Sequence, residues 1–137
     1  MNNRNLYYDY LLRANGRLLA VDTLAEQELW ADVVRESQEV VELALKGLLR
    51  FLNIDVPRVH DVSSVLESNR EQLPEDIKAT LTELVDISQD LRRDRELAFY
   101  GSEDVTPSEF YKKKHATAAR SKAGKVVAIC VKAIGGL

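Results

Sequence analysis

The chain has 137 residues, the size of one ordinary domain, and 45% of them are hydrophobic, so a core can form without a disulfide framework or a structural metal. The net charge of -3 excludes a general attraction for nucleic acid, so any basic surface for it must be local. One cysteine and two histidines give no zinc-binding spacing, and no apolar run approaches the roughly 20 residues of a membrane span. We expect a single domain over residues 1–137, with no signal peptide, metal or cofactor, in the cytoplasm.

The N-terminal region predicts an amphipathic helix from about Leu6 to Ala20, because its apolar residues recur at steps of three and four. Asp22 and Thr23 follow and are good N-cap candidates for the next helix. Tyrosines at positions 7, 8 and 10 could stack nucleobases, but aromatic residues near a terminus more often cover a core or a subunit contact.

The clearest element is a helix from Leu29 to Leu52, whose apolar stripe is wide enough to face neighbours on two or three sides. Gly47 costs this helix only ~1 kcal/mol relative to alanine. Ser37 is the one small polar residue in the stripe. We expect it to bond to its own helix or to admit a close neighbour. This segment predicts the central helix of a helical bundle.

A loop containing Pro57 ends the central helix, and a short helix fits residues 61–67, with His60 or Asp61 near its cap. His60 lies beside an acid, and histidine can transfer protons near neutral pH, which allows a catalytic role. A histidine that fixes the loop by hydrogen bonding is the commoner case. Both interpretations stay open at the level of the sequence.

Pro74, followed by two acidic residues, marks the start of another long helix. Its inward stripe is aliphatic until it reaches Arg95, and a buried arginine is costly unless it is paired. Arg95 therefore either pairs with an acid or lines a cleft or subunit interface. We expect Arg92 and Arg93 to be solvated, or paired with a neighbouring aspartate. The helix should end at Tyr100, just before a glycine.

Thr106 begins the last helix, because a capping threonine precedes a proline and is followed three residues later by Glu109. The first half of that helix is basic, which suits either phosphate contacts or a solvated charged face. Cys130 lies in its apolar stretch and reads as a buried free thiol. No alternating strand pattern, internal repeat or domain linker interrupts these elements.

Taken together, these segments resemble the HEPN family. The likeness is carried by the end of the central helix, the loop after it, the arginine-rich helix end and the proline restart (residues 41–52, 56–62, 91–101 and 106–109), together with the alanine-rich last helix. The resemblance implies an all-α, up-and-down helical bundle of about five helices, four long and one short, that often works as a dimer.

HEPN proteins fall into two functional groups, and the resemblance admits both. Some are metal-independent ribonucleases whose motif is an arginine, four to six residues, and a histidine. Others bind nucleotides or nucleic acid, or act as the partner of a small nucleotidyltransferase in a toxin-antitoxin-like pair. The ribonuclease motif is chemically sensible because histidine moves protons near pH 7 and arginine stabilises charge at phosphate.

In this sequence the histidine position of the motif carries Tyr100, with four residues between it and Arg95, or six residues between it and Arg93. A phenol normally titrates near ~10 and is a poor general base at neutral pH. We therefore expect a non-catalytic, nucleotide- or RNA-binding or partner module that forms a homodimer. Arg93, Arg95 and Tyr100 are its expected binding residues. The alternative is a ribonuclease with a degenerate Arg-x4-Tyr motif, in which His60 or His115 supplies the proton transfer.

Overall fold

A computed structural model describes the backbone of residues 3–56, 58, 61–100 and 104–137, and the side chains of residues 6–56, 58, 61–93 and 104–137. These residues form six α-helices and a short 3-10 turn, and no strand occurs among them. The helices are α1 (Asn3–Glu26), α2 (Trp30–Phe51), α3 (Val62–Ser68), α4 (Glu75–Tyr100), α5 (Pro107–Phe110) and α6 (Lys113–Ala133), and the turn spans Arg70–Gln72. The all-α prediction is confirmed, with one more short helix than expected.

The central position of α2 follows from its wide apolar face. The helix packs against α1, α4 and α6, and most of its length is buried. Tyr7 at the start of α1 contacts Phe51 at the end of α2, so these two helices run antiparallel. Helices α4 and α6 also run antiparallel, because ion pairs join Asp90 to Lys122 and Glu83 to Lys125. The bundle is therefore up-and-down, as the sequence predicted.

Helix α1 is longer than its local pattern indicated. It continues to Glu26, so Asp22 and Thr23 lie inside it and do not cap α2, and that prediction was wrong. The Thr23 hydroxyl instead donates to the Leu19 carbonyl one turn earlier. The extension is explained by Val21, which is fully buried in the core and holds the additional turn against the bundle. Helix α2 begins after Leu29 without a side-chain cap.

Local capping chemistry sets the start of α3, as predicted. The Asp61 carboxylate accepts the backbone N–H of Ser63, which satisfies one of the free donors of the first turn. Helix α4 then buries the predicted aliphatic stripe from Ile77 to Leu91. Ser88 lies within that stripe and is also buried.

The region after Thr106 differs from the single long helix that was predicted. Thr106 does cap a helix and accepts the Glu109 N–H, but α5 is only one turn long. The chain becomes extended at Tyr111 and Lys112, and α6 then begins. The break lets the Tyr111 side chain enter the core, where it is 2% exposed. Burial of this aromatic ring outweighs continued helix hydrogen bonding at two residues.

The core contains the hydroxyl group of Ser37 and the thiol group of Cys130, both of which are buried. The Ser37 hydroxyl is buried and, in the described part of the chain, has no hydrogen-bond partner, so the expected bond to its own helix does not form. Cys130 is fully buried in α6, as expected, and burial raises the pKa of its thiol from 9.0 to about 12.

Among the described helices, none has the length and apolar character needed to cross a bilayer.

Candidate functional site

The C-terminal half of α4 carries the arginines of the predicted site. The helix is continuous to Tyr100, so residues 93 and 100 are two turns apart on the same side, about 10 Å along the axis. Residue 95 lies about 140° around the helix from residue 100, in line with the buried positions 84, 88 and 91. Positions 93 and 100, which have six residues between them, therefore lie on one face of α4. Positions 95 and 100, which have four residues between them, do not.

Arg93 lies at the surface and is held loosely. Its side chain is 74% exposed, and its Nη2 donates to Asp90 Oδ1 at 3.0 Å within the same helix. Asp90 Oδ2 also lies 4.0 Å from the Lys122 ammonium of α6. Exposed pairs of this kind contribute at most about 1 kcal/mol. Arg93 can consequently exchange its carboxylate partner for another anion at little cost in stability.

Arg92 faces a different neighbour. Its Nη1 lies 3.2 Å from Oδ1 of Asp61, the residue that caps α3. This ion pair ties the start of α3 to α4. Arg92 thus has a structural partner supplied by another helix.

The family model for the HEPN domain matches residues 7–134, which is nearly the whole chain. The chain belongs to the HEPN domain family. Searches of the curated proteins and of the solved structures gave no match. The sequence resemblance is thereby confirmed, and the match includes every position predicted as a site residue.

The HEPN motif positions can be followed only in part. Arg93 is described with its side chain, while the side chains of Arg95 and Tyr100 lie outside the described set. His60 lies outside the described residues altogether.

His115, the second accessory candidate, caps α6. Its Nδ1 accepts the backbone N–H of Lys112 at 2.9 Å, and its ring stacks on Phe110 with centroids 5.6 Å apart and planes 18° apart. The lone pair of Nδ1 is therefore engaged in this hydrogen bond. To act as a general base, His115 would have to give up the cap of its own helix.

Part of the predicted basic surface of α6 is used in ion pairs. Arg120 makes a bidentate contact with Asp22 of α1, at 2.7 Å from Nε and 3.2 Å from Nη2. Lys122 and Lys125 face acids of α4. Arg120, Lys122 and Lys125 therefore join α6 to α1 and α4. Lys113 and Lys114, at the start of α6, remain exposed.

A second basic region was missed by the sequence reasoning. A concavity of about 290 Å³ is lined by Tyr10, Lys46, Arg50, Val56 and Arg58. The local sequence indicates only that Lys46 and Arg50 share a helix face, four residues apart. The approach of α1 and of the segment after α2 becomes visible only in the folded chain. Elsewhere, no cluster of metal-binding side chains occurs among the described residues.

Proposed function

We propose that this HEPN domain is a non-catalytic module that binds nucleotide or RNA through Arg93 and Tyr100 on one face of α4. Arg95, the third predicted binding residue, lies about 140° around the helix from position 100 and would contribute from a different side. The observation that carries the proposal is the shared helix face of positions 93 and 100, with a phenol where HEPN ribonucleases have an imidazole. An arginine fork suits a phosphate, and a tyrosine ring suits a base. Neither an arginine nor a tyrosine side chain is an effective general base at neutral pH.

The electrostatics of Arg93 support this role. Its partner Asp90 is shared with Lys122, so a phosphate that takes over the guanidinium leaves Asp90 with another cation nearby. Hydrogen bonds to charged groups are typically worth about 1.5–3 kcal/mol. Removal of Arg93 should accordingly weaken RNA binding at least about tenfold.

The binding test uses a fluorescein-labelled mixed RNA pool in EDTA, with anisotropy for affinity and denaturing electrophoresis for cleavage. Wild-type protein should bind the RNA and leave it intact. Arg93→Ala should weaken binding, and Tyr100→Phe should retain more affinity than Tyr100→Ala because stacking needs only a ring. Arg17→Ala is the matched control, since Arg17 is an exposed arginine on α1.

Two results would contradict the proposal. Cleavage that disappears with Arg95→Ala would identify a ribonuclease with an Arg-x4-Tyr motif. Absence of binding by wild-type protein to both RNA and mononucleotides would leave only the role of a protein partner.

We also propose that the domain forms a homodimer and works beside a small nucleotidyltransferase in a toxin-antitoxin-like pair, as the family suggests. Support for the homodimer comes from exposed apolar side chains at positions 8, 12 and 19, spaced along one side of α1. Light scattering should give a dimer for wild type and a monomer for a Leu12→Asp, Leu19→Asp variant. Leu137→Asp, at another exposed leucine, should leave the dimer intact.

The nucleotidyltransferase partner is tested by co-expression of the domain with a candidate enzyme and joint purification. A complex that resists dilution and contains both chains supports the pairing. Separate elution of the two proteins at micromolar concentration contradicts it.

A further inference from the structure

We propose that Lys46, Arg50, Arg58 and Tyr10 form a second anion site, which holds a phosphate group carried by a nucleoside. Three cations and one phenol from three stretches of chain line the same concavity, and no carboxylate is among the described residues that line it. The inference extends the proposed function, because it names a separate contact for the same class of ligand. It stands on residues that the HEPN motif does not include.

The arrangement of charge is the first argument. Lys46 and Arg50 are one turn apart on α2, and like charges at that spacing destabilise a helix. Arg58 adds a third positive charge from the segment after the helix. The whole chain has a net charge of -3, so this concentration of cations does not reflect composition. Positive charges grouped around one concavity attract an anion.

The favourable interaction of cations with the C-terminal end of α2 explains only one of the three basic residues at the concavity. Arg50 lies in the last turn of α2, where a cation interacts favourably with the helix dipole. Lys46 lies one turn earlier, and Arg58 lies beyond the helix, where this effect has faded. A solvated set of basic side chains would also tend to spread apart. These residues instead surround one concavity with a partly buried tyrosine.

Close packing between α1 and α2 builds the wall that carries Tyr10. An added Cβ at Gly47 would lie 3.2 Å from Tyr10 Cβ and 3.0 Å from two Leu11 side-chain atoms. Glycine therefore allows α1 to approach α2 at the level between Lys46 and Arg50. The aromatic ring is brought to the same concavity as the cations by the backbone packing and not by a flexible side chain alone.

The size and chemistry of the concavity select the ligand class. Its volume of about 290 Å³ lies at the small end of ligand clefts, which run from roughly 300 to 1,000 Å³. That suits a phosphate with the sugar or base attached to it. Arginine can grip phosphate with two donors, lysine adds a point charge, and tyrosine offers a ring or a hydroxyl. The phosphate comes from a free mononucleotide or from an RNA chain.

The test compares 5′-AMP, inorganic phosphate and a labelled RNA decamer as ligands, with calorimetry and anisotropy as readouts. The key variant is Lys46→Gln with Arg58→Gln, which removes two charges and leaves Arg50 in place. Lys113→Gln with Lys114→Gln is the matched control, because both lysines are exposed at the start of α6. Melting temperatures establish that each variant is folded.

We expect the Lys46→Gln, Arg58→Gln variant to lose at least about tenfold in affinity for the ligand that uses the site. Its RNA binding should also fall less steeply with salt, by about 0.7 in the slope of log K against log salt for one lost phosphate contact. Lost affinity for 5′-AMP identifies a mononucleotide as the source. Lost affinity for the decamer alone identifies an RNA backbone. Backbone amide shifts at residues 46, 50 and 58 on titration should locate the ligand.

Three outcomes overturn the second site or separate it from the proposed function. Affinities unchanged in the double variant but reduced in Arg93→Ala would reject the second site and support the motif face. Binding of inorganic phosphate as tightly as of 5′-AMP or RNA would reject a nucleoside ligand. Wild-type protein that binds none of the three ligands would reject both proposals.

Discussion

Asp61 and Arg92 meet at one carboxylate oxygen that has two functions. Asp61 Oδ1 accepts the Ser63 N–H at 3.0 Å, which caps α3, and lies 3.2 Å from Arg92 Nη1 on α4. The backbone hydrogen bond holds the same oxygen that the arginine contacts. One oxygen thus joins a local cap to a contact between helices.

The two partners should therefore differ in their effect on stability. Asp61→Ala removes the cap and the ion pair and should lower the unfolding free energy by about 1–2 kcal/mol. Arg92→Ala removes only a half-exposed ion pair and should cost about 0–1 kcal/mol. Urea unfolding measures both values. Asp61→Asn, which retains a capping acceptor, should resemble Arg92→Ala, and equal losses for Asp61→Ala and Arg92→Ala would show that the cap contributes nothing.

Gly47→Ala should destabilise the bundle even though alanine favours a helix. The substitution gains about 1 kcal/mol in helix propensity. Its Cβ would lie 3.0 Å from Leu11 side-chain atoms, and overpacking of this kind typically costs about 1–3 kcal/mol. We expect a net loss of about 1 kcal/mol in urea unfolding. Gly16→Ala is the control, because nothing lies within 4 Å of its added Cβ, and it should be stabilising.

The opposite result at Gly47 would change the account of the second anion site. A stabilised Gly47→Ala variant would show that α1 moves away from α2 without strain. The position of Tyr10 beside Lys46 would then not depend on the glycine.

The parts of the fold that the sequence predicted are those with local chemical causes. The stripe of α2 has a clear period, Asp61 caps the helix that directly follows it, and Thr106 precedes a proline. Each cause acts within about one turn of its effect. The pairing of Arg93 with Asp90 is likewise a contact within one helix turn.

The parts that escaped prediction depend on distant packing. Val21 extends α1 because the other helices bury it, and Tyr111 ends α5 because its ring enters the core. The second anion site needs residues from α1, α2 and the following segment, and single-helix patterns contain no information about their approach. Family resemblance did not supply these features either, because it assigns a bundle and a motif and no packing detail.

His115→Ala should lower stability without creating or removing nuclease activity. The variant loses the hydrogen bond from Lys112 and the stacking on Phe110, which together are worth about 1–2 kcal/mol. His115→Gln retains an acceptor at the same capping position and should lose less. Thermal unfolding and the RNA cleavage assay in EDTA measure the two properties. An RNA cleavage activity present in wild type and absent only from the His115 variants would contradict a purely structural histidine.

The buried thiol of Cys130 should make the protein less stable at alkaline pH. Burial raises the pKa of this thiol from 9.0 to about 12, so between these values the unfolded chain releases a proton that the folded chain retains. The unfolding free energy then falls as pH rises, and the loss at pH 10 is roughly 1 kcal/mol relative to pH 7. Cys130→Ala starts from lower stability because it leaves a small cavity, but its decline from pH 7 to pH 10 should be smaller by that amount. Parallel declines in wild type and variant, measured by urea unfolding at each pH, would show that the thiol does not titrate differently in the two states.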